Sequence, residues 1–233
     1  FLSSVDCIVA SSPNYAESSP VLTHFKDKVR VVPYGLDRKT YPRPSAGKLD
    51  FWRARLGERF FLFVGALRYY KGLDYLLEAA KATQLPVAIL GGGHLEMELK
   101  AQANHLGLTN VHFLGGLPDE DKAALLTLCC AFVFPSHLRS ESFGISLLEG
   151  AMYGKPMISC EIGSGTTYIN IAGETGLVVP PRDSVALAEA MNQLWNQPAL
   201  AASMGEAAAR RFNEVFSADS MAKSYAGIYR SLL

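Results

Sequence analysis

The chain has 233 residues, of which 49 % are hydrophobic, and its 22 Lys and Arg balance its 22 Asp and Glu. That length suits one large α/β domain, or one domain with a fragment of another, and that apolar content excludes a disordered chain. A net charge of zero excludes a protein built around nucleic acid, which needs a cationic surplus.

In chain order, Cys7–Ala10 and Val29–Val32 read as short buried strands with a helix between them. Pro33-Tyr34-Gly35-Leu36-Asp37 follows, and the stretch to about Ala46 contains Pro42 and Pro44, has no strong period and reads as a linker. A new series begins at Phe60. Strands are predicted over Phe60–Val64, Val87–Leu90, Val111–Leu114, Ala131–Phe134, Pro156–Cys160 and Gly176–Val179. Helices are predicted over Leu73–Thr83, Leu95–Leu106, Asp119–Cys129, Gly144–Tyr153, Ser184–Trp195 and Pro198–Ala209, and an amphipathic helix over Ser217–Leu233 closes the chain. The strands are almost continuously apolar, as parallel strands covered on both faces are. Their alternation with helices predicts an α/β fold, a Rossmann-like doubly wound parallel sheet with right-handed crossovers. The pattern divides residues 1–36 from 37–233.

Cys7, Cys129, Cys130 and Cys160 form no CxxC pair and read as small buried hydrophobes in a reducing compartment. The five His form neither HxxxH nor HExxH, so no metal site is predicted. No apolar run reaches the ~18–20 residues that span a bilayer, and no signal peptide is visible. Because the chain opens at Phe1 inside what reads as a structured element, it is expected to be a piece of a longer protein.

Ligands of doubly wound sheets bind beyond the carboxyl ends of the strands, which directs attention to the loops Gly65–Gly72, Gly91–His94, Gly115–Pro118 (with Leu117), Pro135–Phe143 and Glu161–Thr167. Glu141 and Glu149 flank the start of a predicted helix, seven residues apart, with Phe143, Gly144 and Ile145 between them. Over a fully helical segment that spacing is about 12 Å, comparable to the reach from a ribose to a sugar across a diphosphate. The helix start offers unpaired N–H groups and a positive dipole end, and Gly144 lets a ligand approach closely. A helix-dipole Glu followed by an exposed one fits the spacing equally well. The loop from Gly65 carries Arg68 and Lys71 before a helix, a diphosphate clamp or a pair of solvated cations. Gly91-Gly92-Gly93 is a tight turn or a place where backbone meets a nucleotide; it is neither GxGxxG nor a Walker motif. Glu161–Tyr168 is rich in hydroxyls and offers hydrogen-bond donors or a flexible turn. No GxSxG elbow occurs, so Ser/His/Asp catalysis has no support.

In their order, Val64-Gly65 through Lys71-Gly72, the Gly91 turn, Phe134-Pro135-Ser136, Glu141/Glu149, Gly154-Lys155-Pro156 and Gly173 through Pro180 resemble glycosyltransferase family 4, retaining enzymes of the GT-B fold. Val31 through Asp37 is similar to that family's interdomain hinge. The resemblance implies that residues 1–36 are the end of an N-terminal domain with its hinge, that 37–233 are the C-terminal half of a GT-B fold, and that the last helix crosses back. It also implies roles: Glu141 on hydroxyls of the transferred sugar, Glu149 on the ribose, the amides of Phe143, Gly144 and Ile145 on sugar and diphosphate, Lys71 on the leaving diphosphate. Gly65, Gly92 and Leu117 would border the nucleotide. The family has Arg directly after the first Gly of its loop; here that position is Ala66, and Arg68 is the candidate substitute. The wording of Leu67–Gly72 and Glu161–Thr166 is most similar to bacterial surface-polysaccharide enzymes, often mannosyltransferases. The implied donor is GDP-mannose or a UDP-sugar, with no further cofactor and no metal. The implied acceptor is a glycan or lipid-linked glycan on the missing domain, and the implied place is the cytoplasm, at the inner membrane surface. A GT-B sugar-nucleotide epimerase and a non-catalytic sugar-nucleotide-binding module are the alternatives.

Overall fold

The computed structural model describes all 233 residues, Phe1–Leu233. Its elements are β1 (Ile8–Ala10), α1 (Pro13–Ser18), β2 (Val29–Val31), α2 (Ala46–Leu56), β3 (Phe61–Val64), α3 (Leu73–Thr83), β4 (Val87–Leu90), α4 (Glu96–His105), β5 (Val111–Gly115), α5 (Asp119–Leu128), β6 (Ala131–Phe134), α6 (Ile145–Met152), β7 (Met157–Cys160), α7 (Thr166–Ile169), β8 (Gly176–Val179), α8 (Ser184–Asn196), α9 (Pro198–Val215) and α10 (Ala218–Ser231).

The central sheet has six parallel strands in the order β5-β4-β3-β6-β7-β8. All four residues of β3, β4, β6 and β7 are buried, which accounts for their unbroken apolar sequence. Phe60, Phe61, Phe63, Phe132 and Phe134 are fully enclosed, and Phe63 stacks on Phe134 across the middle of the sheet. From β3 the chain winds outward through β4 and β5, then returns to β6 and winds the other way. The direction reverses between β3 and β6, the switch point where a crevice opens beyond the strand ends.

β1 and β2 pair in a separate two-stranded parallel sheet. The chain leaves it through Leu36, whose N–H donates to the Phe216 carbonyl and whose carbonyl accepts from Ala218. The strand is pressed so close to Ser217 that a Cβ on Gly35 would lie 2.3 Å from its carbonyl oxygen, so only glycine fits. Beyond it, α10 returns to the first sheet, its Tyr225, Ile228 and Tyr229, with Leu232 just after it, facing Cys7 and Val9 across a shallow groove.

Several sequence expectations need correction. The sequence pattern predicts no helix over residues 46–56, yet they form α2; its anchor is Trp52, whose indole N–H donates to Asp121 at 2.9 Å, a tertiary contact that local periodicity does not report. The helix predicted over Pro198–Ala209 continues to Val215, because Ala208 and Phe212 keep its buried face going. Gly144 is the left-handed N-cap of α6 and not part of it. Of the four cysteines, Cys7 and Cys130 are only half-buried; burial pushes the thiols of Cys129 and Cys160 up to about 12 and that of Cys130 to about 11. No helix is long and apolar enough to cross a membrane.

Candidate functional site

Three glycine turns sit side by side at the carboxyl ends of β3, β4 and β5. Gly65 N–H donates to the Leu90 carbonyl, Leu67 N–H to Gly92 and Gly91 N–H to Gly115, at 3.0, 3.0 and 2.8 Å. A Cβ on Gly91 would stand 2.1 Å from the Gly65 oxygen, and one on Gly93 would stand 2.6 Å from the Leu67 oxygen. The glycines are therefore needed for backbone to lie on backbone, whatever binds above them. Gly92 is exposed at this rim and Leu117 is half-buried just after the third turn.

The loop from Gly65 ends in a short 3₁₀ turn, Tyr69–Lys71, and Gly72 closes it in the left-handed region with φ +66°. This conformation swings Lys71 inward over the Phe134 ring, its ammonium 4.6 Å from the ring centroid. Lys71 is 8 % exposed and its ammonium donates to the Glu141 carboxylate, which also accepts from the Ser136 hydroxyl at 3.4 Å. Lys71 and Glu141 come from the two loops that flank the switch point, and the structure brings them together as an ion pair. Arg68 does not join them. It is exposed and forms no ion pair.

Glu141 precedes α6, so the helical spacing considered above does not apply to it. The helix starts after Gly144, whose φ of +104° lies in the left-handed region that favours glycine. The N–H groups of Phe143, Gly144 and Ile145 have no backbone or side-chain acceptor, although Phe143 and Gly144 are buried. Buried donors of this kind are normally paired, and at a helix start they favour an anion. The Phe143 ring itself faces away, between Tyr34 and Phe216, and fixes the turn from below. Ile145 is 44 % exposed at the mouth.

One turn along α6 stands Glu149, 6 % exposed, which rules out the solvated-glutamate reading of its position. Its Oε1 accepts from the Tyr41 hydroxyl and from the Lys122 ammonium, each at 2.9 Å. Its Oε2 has no protein partner. Burial pulls the Lys122 ammonium down, but its bonds to Glu149 and Asp119 outweigh this and hold it above the usual lysine range. Burial and the adjacent Glu149 charge raise the Tyr41 phenol. Tyr41 and Lys122 lie 108 and 27 residues from Glu149 and were not named from the sequence; the only signal was their place in the proline linker and at the start of a helix.

The hydroxyl-rich loop after β7 contributes less than its composition suggested. Ser164 and Thr166 are fully buried, with the Thr166 hydroxyl on the Cys160 carbonyl at 3.2 Å, and Thr167 bonds to Glu161. These groups hold the loop's own shape and do not face the crevice. No cluster of His, Cys, Asp and Glu that could hold a metal ion is present.

Residues 49–211 match the family described as glycosyl transferases group 1. The chain is 61 % identical over 94 % of its length to the D-rhamnosyltransferase WbpZ of Pseudomonas aeruginosa. It is 54 % identical over its whole length to the O-antigen chain mannosyltransferase C of Escherichia coli. It spans 57 % and 62 % of the length of those relatives. Among solved structures, sucrose-phosphate synthase of Thermosynechococcus elongatus superposes with a TM-score of 0.86 over 99 % of this chain and 59 % of that one, at 25 % identity. Anabaena HepE, solved with UDP and glucose, superposes with 0.85 over 97 % of this chain and 63 % of its own, at 21 % identity.

Proposed function

The chain belongs to the group 1 glycosyl transferases, and from that premise we propose that it is the donor-binding part of a retaining hexosyltransferase that moves mannose from GDP-mannose in surface-polysaccharide synthesis. Residues 1–36 are then the end of the acceptor domain and its hinge. The glycan or lipid-linked acceptor sits on the remainder of that domain, at the cytoplasmic face of the membrane.

The observation that carries this reading is the crevice at the switch point. It gathers three unpaired N–H groups at the start of α6, the Lys71 ammonium and the free Oε2 of Glu149. Donors in the middle and acceptors at the sides complement a molecule with a charged diphosphate between two hydroxyl-bearing sugars. Glu149 takes the ribose hydroxyls. Glu141 takes hydroxyls of the transferred hexose. Lys71 has three N–H bonds and gives one to Glu141, so the others remain for the diphosphate. Arg68, free at the loop tip, closes over it.

In the reaction the bond between the anomeric carbon and the diphosphate oxygen breaks, and its electron pair stays on that oxygen. The acceptor hydroxyl adds to the same face of the sugar, and its proton passes to the departing oxygen. Lys71 and the α6 N-terminus stabilise the charge that develops there, in a site whose donors are already in place. The mannosyl choice rests on the O-antigen chain mannosyltransferase C, 54 % identical over the whole chain; the 61 % identical relative transfers D-rhamnose, so D-rhamnose is the competing donor sugar.

Calorimetric titration with GDP, UDP, GDP-mannose and UDP-glucose tests this reading. Guanine nucleotides are expected to bind more tightly, and Glu149→Ala to weaken them roughly tenfold through loss of the ribose bonds. Equal affinity of Glu149→Ala and the parent, or no nucleotide binding by a folded protein, overturns it.

A further inference from the structure

A second concavity lies away from the donor crevice. It has a volume of about 920 Å³ and is lined by Arg38, Lys39, Arg43, Tyr41, Tyr153 and Thr127 with Pro42 and Pro44. Thr127 is in the last turn of α5 and Tyr153 caps the end of α6, so the groove opens toward the amino ends of the strands. Tyr41 forms the wall between the two places: its hydroxyl reaches up to Glu149 and its ring lies 6.4 Å from that of Tyr153.

The charge of this lining is one-sided. Three of the residues are cations and none is an acid, in a chain whose net charge is zero. Lys39 and Arg43 enter no ion pair. Asp37, the nearest acid in sequence, turns its carboxylate onto the Lys39 amide at 2.9 Å. Arg38 is held in place by a 2.6 Å bond to the Met152 carbonyl and by the Tyr153 ring, 5.6 Å from its guanidinium carbon, which leaves its other N–H groups free. Lys155, outside the lining itself, is a fourth cation nearby: its ammonium donates to the carbonyl of the lining residue Thr127 at 2.8 Å. Pro42 and Pro44 stiffen the segment that carries Arg43, so little freedom is lost when it meets a ligand.

A concavity within the roughly 300–1,000 Å³ of small-molecule sites, with polar walls made of cations, selects an anion of more than one charge. A fixed guanidinium fork matches phosphate oxygens. We infer that this groove is a second anion site that takes a phosphomonoester or diphosphate group, separate from the donor crevice. The group can come from a soluble phosphate or from the headgroup of an anionic lipid.

The test uses inorganic pyrophosphate by calorimetry, and flotation with vesicles of phosphatidylglycerol against vesicles of phosphatidylcholine. Both are run with the parent chain, with Lys39→Glu/Arg43→Glu, and with Lys81→Glu/Lys223→Glu, which makes the same charge change at exposed positions elsewhere. Pyrophosphate binding that survives Lys71→Ala and falls roughly tenfold or more in the groove variant alone supports the site. Binding to phosphatidylglycerol that follows the same pattern assigns it to a lipid headgroup; pyrophosphate binding without vesicle binding assigns it to a soluble phosphate. No binding of either probe, loss with Lys71→Ala only, or equal weakening by the control pair overturns the inference.

Discussion

Lys71 and Glu141 share a space nearly closed to water, with side chains 9 % and 12 % exposed. Removing one member of such a pair leaves the other charge buried without a partner, a loss of about 3–5 kcal/mol. Lys71→Ala is therefore expected to destabilise the chain by about 3 kcal/mol in urea unfolding. Lys71→Ala/Glu141→Gln should recover much of it, since the orphaned charge is gone. Additive losses in the double variant would show that the two residues do not form an energetic unit. Both were singled out from the sequence with separate tasks, sugar and diphosphate; their contact was not legible, because 70 residues separate them and only the reversal of strand order between β3 and β6 brings their loops together. The ligands of Glu149 were hidden for the same reason. A sequence displays the carboxylate, while its partners depend on where a proline-containing segment crosses the α5–α6 groove.

Strands β3, β4, β6 and β7 were the easiest elements to read, since residues buried on both faces leave unbroken apolar runs between glycine turns; β1 and β2 are not buried as expected, with Val9 and Val31 exposed. Helices with a strong apolar stripe were equally clear. Helix α2 was not, since Ala46-Gly47-Lys48-Leu49-Asp50-Phe51-Trp52-Arg53 has no consistent buried face and only Trp52 and Leu56 are buried. It is held by Asp121 at the first turn of α5, which accepts from the Trp52 indole at 2.9 Å and from Lys48 at 2.9 Å. Burial would raise the Asp121 carboxyl, but the bonds from Lys48 and Trp52 prevail and hold it below its usual 3.8. A carboxyl lowered in the folded state contributes stability above its unfolded pKa and loses it as the pH falls through the folded value. The stability difference between the parent and Asp121→Asn should thus be full from about pH 5 upward and shrink below about pH 4. Urea unfolding followed by circular dichroism across that range measures it. A difference that stays constant down to about pH 3 would assign the role to packing and not to charge.

At the scale of the whole molecule, the first 36 residues depend on the rest. A two-stranded sheet is marginal alone, and β1–β2 leans on the large domain through α1 and α10. The α1 contact is a network centred on Arg139, in the same loop as Ser136 and Glu141. Its guanidinium donates to the Ser18 carbonyl at 2.5 Å, the Ser18 hydroxyl at 2.9 Å and the Tyr15 carbonyl at 3.3 Å, and lies 4.7 Å from the centre of the Tyr15 ring. These carbonyls belong to the last turn of α1, where the helix dipole favours a cation. The Asn14 amide donates to Thr167 at 3.2 Å, and the Ser18 hydroxyl donates to the Gly163 carbonyl, so both loops beside the crevice are tied to α1. Arg139→Ala removes the forked contact without touching either sheet. Amides of residues 8–32 are expected to exchange roughly tenfold faster in deuterated buffer, while those of β3, β4, β6 and β7 keep their protection. Arg139→Lys keeps the charge but not the fork and should fall between. Uniform loss of protection across both sheets would mean that Arg139 supports the fold as a whole. Unchanged exchange in residues 8–32 would mean that α10 alone holds the first sheet in place.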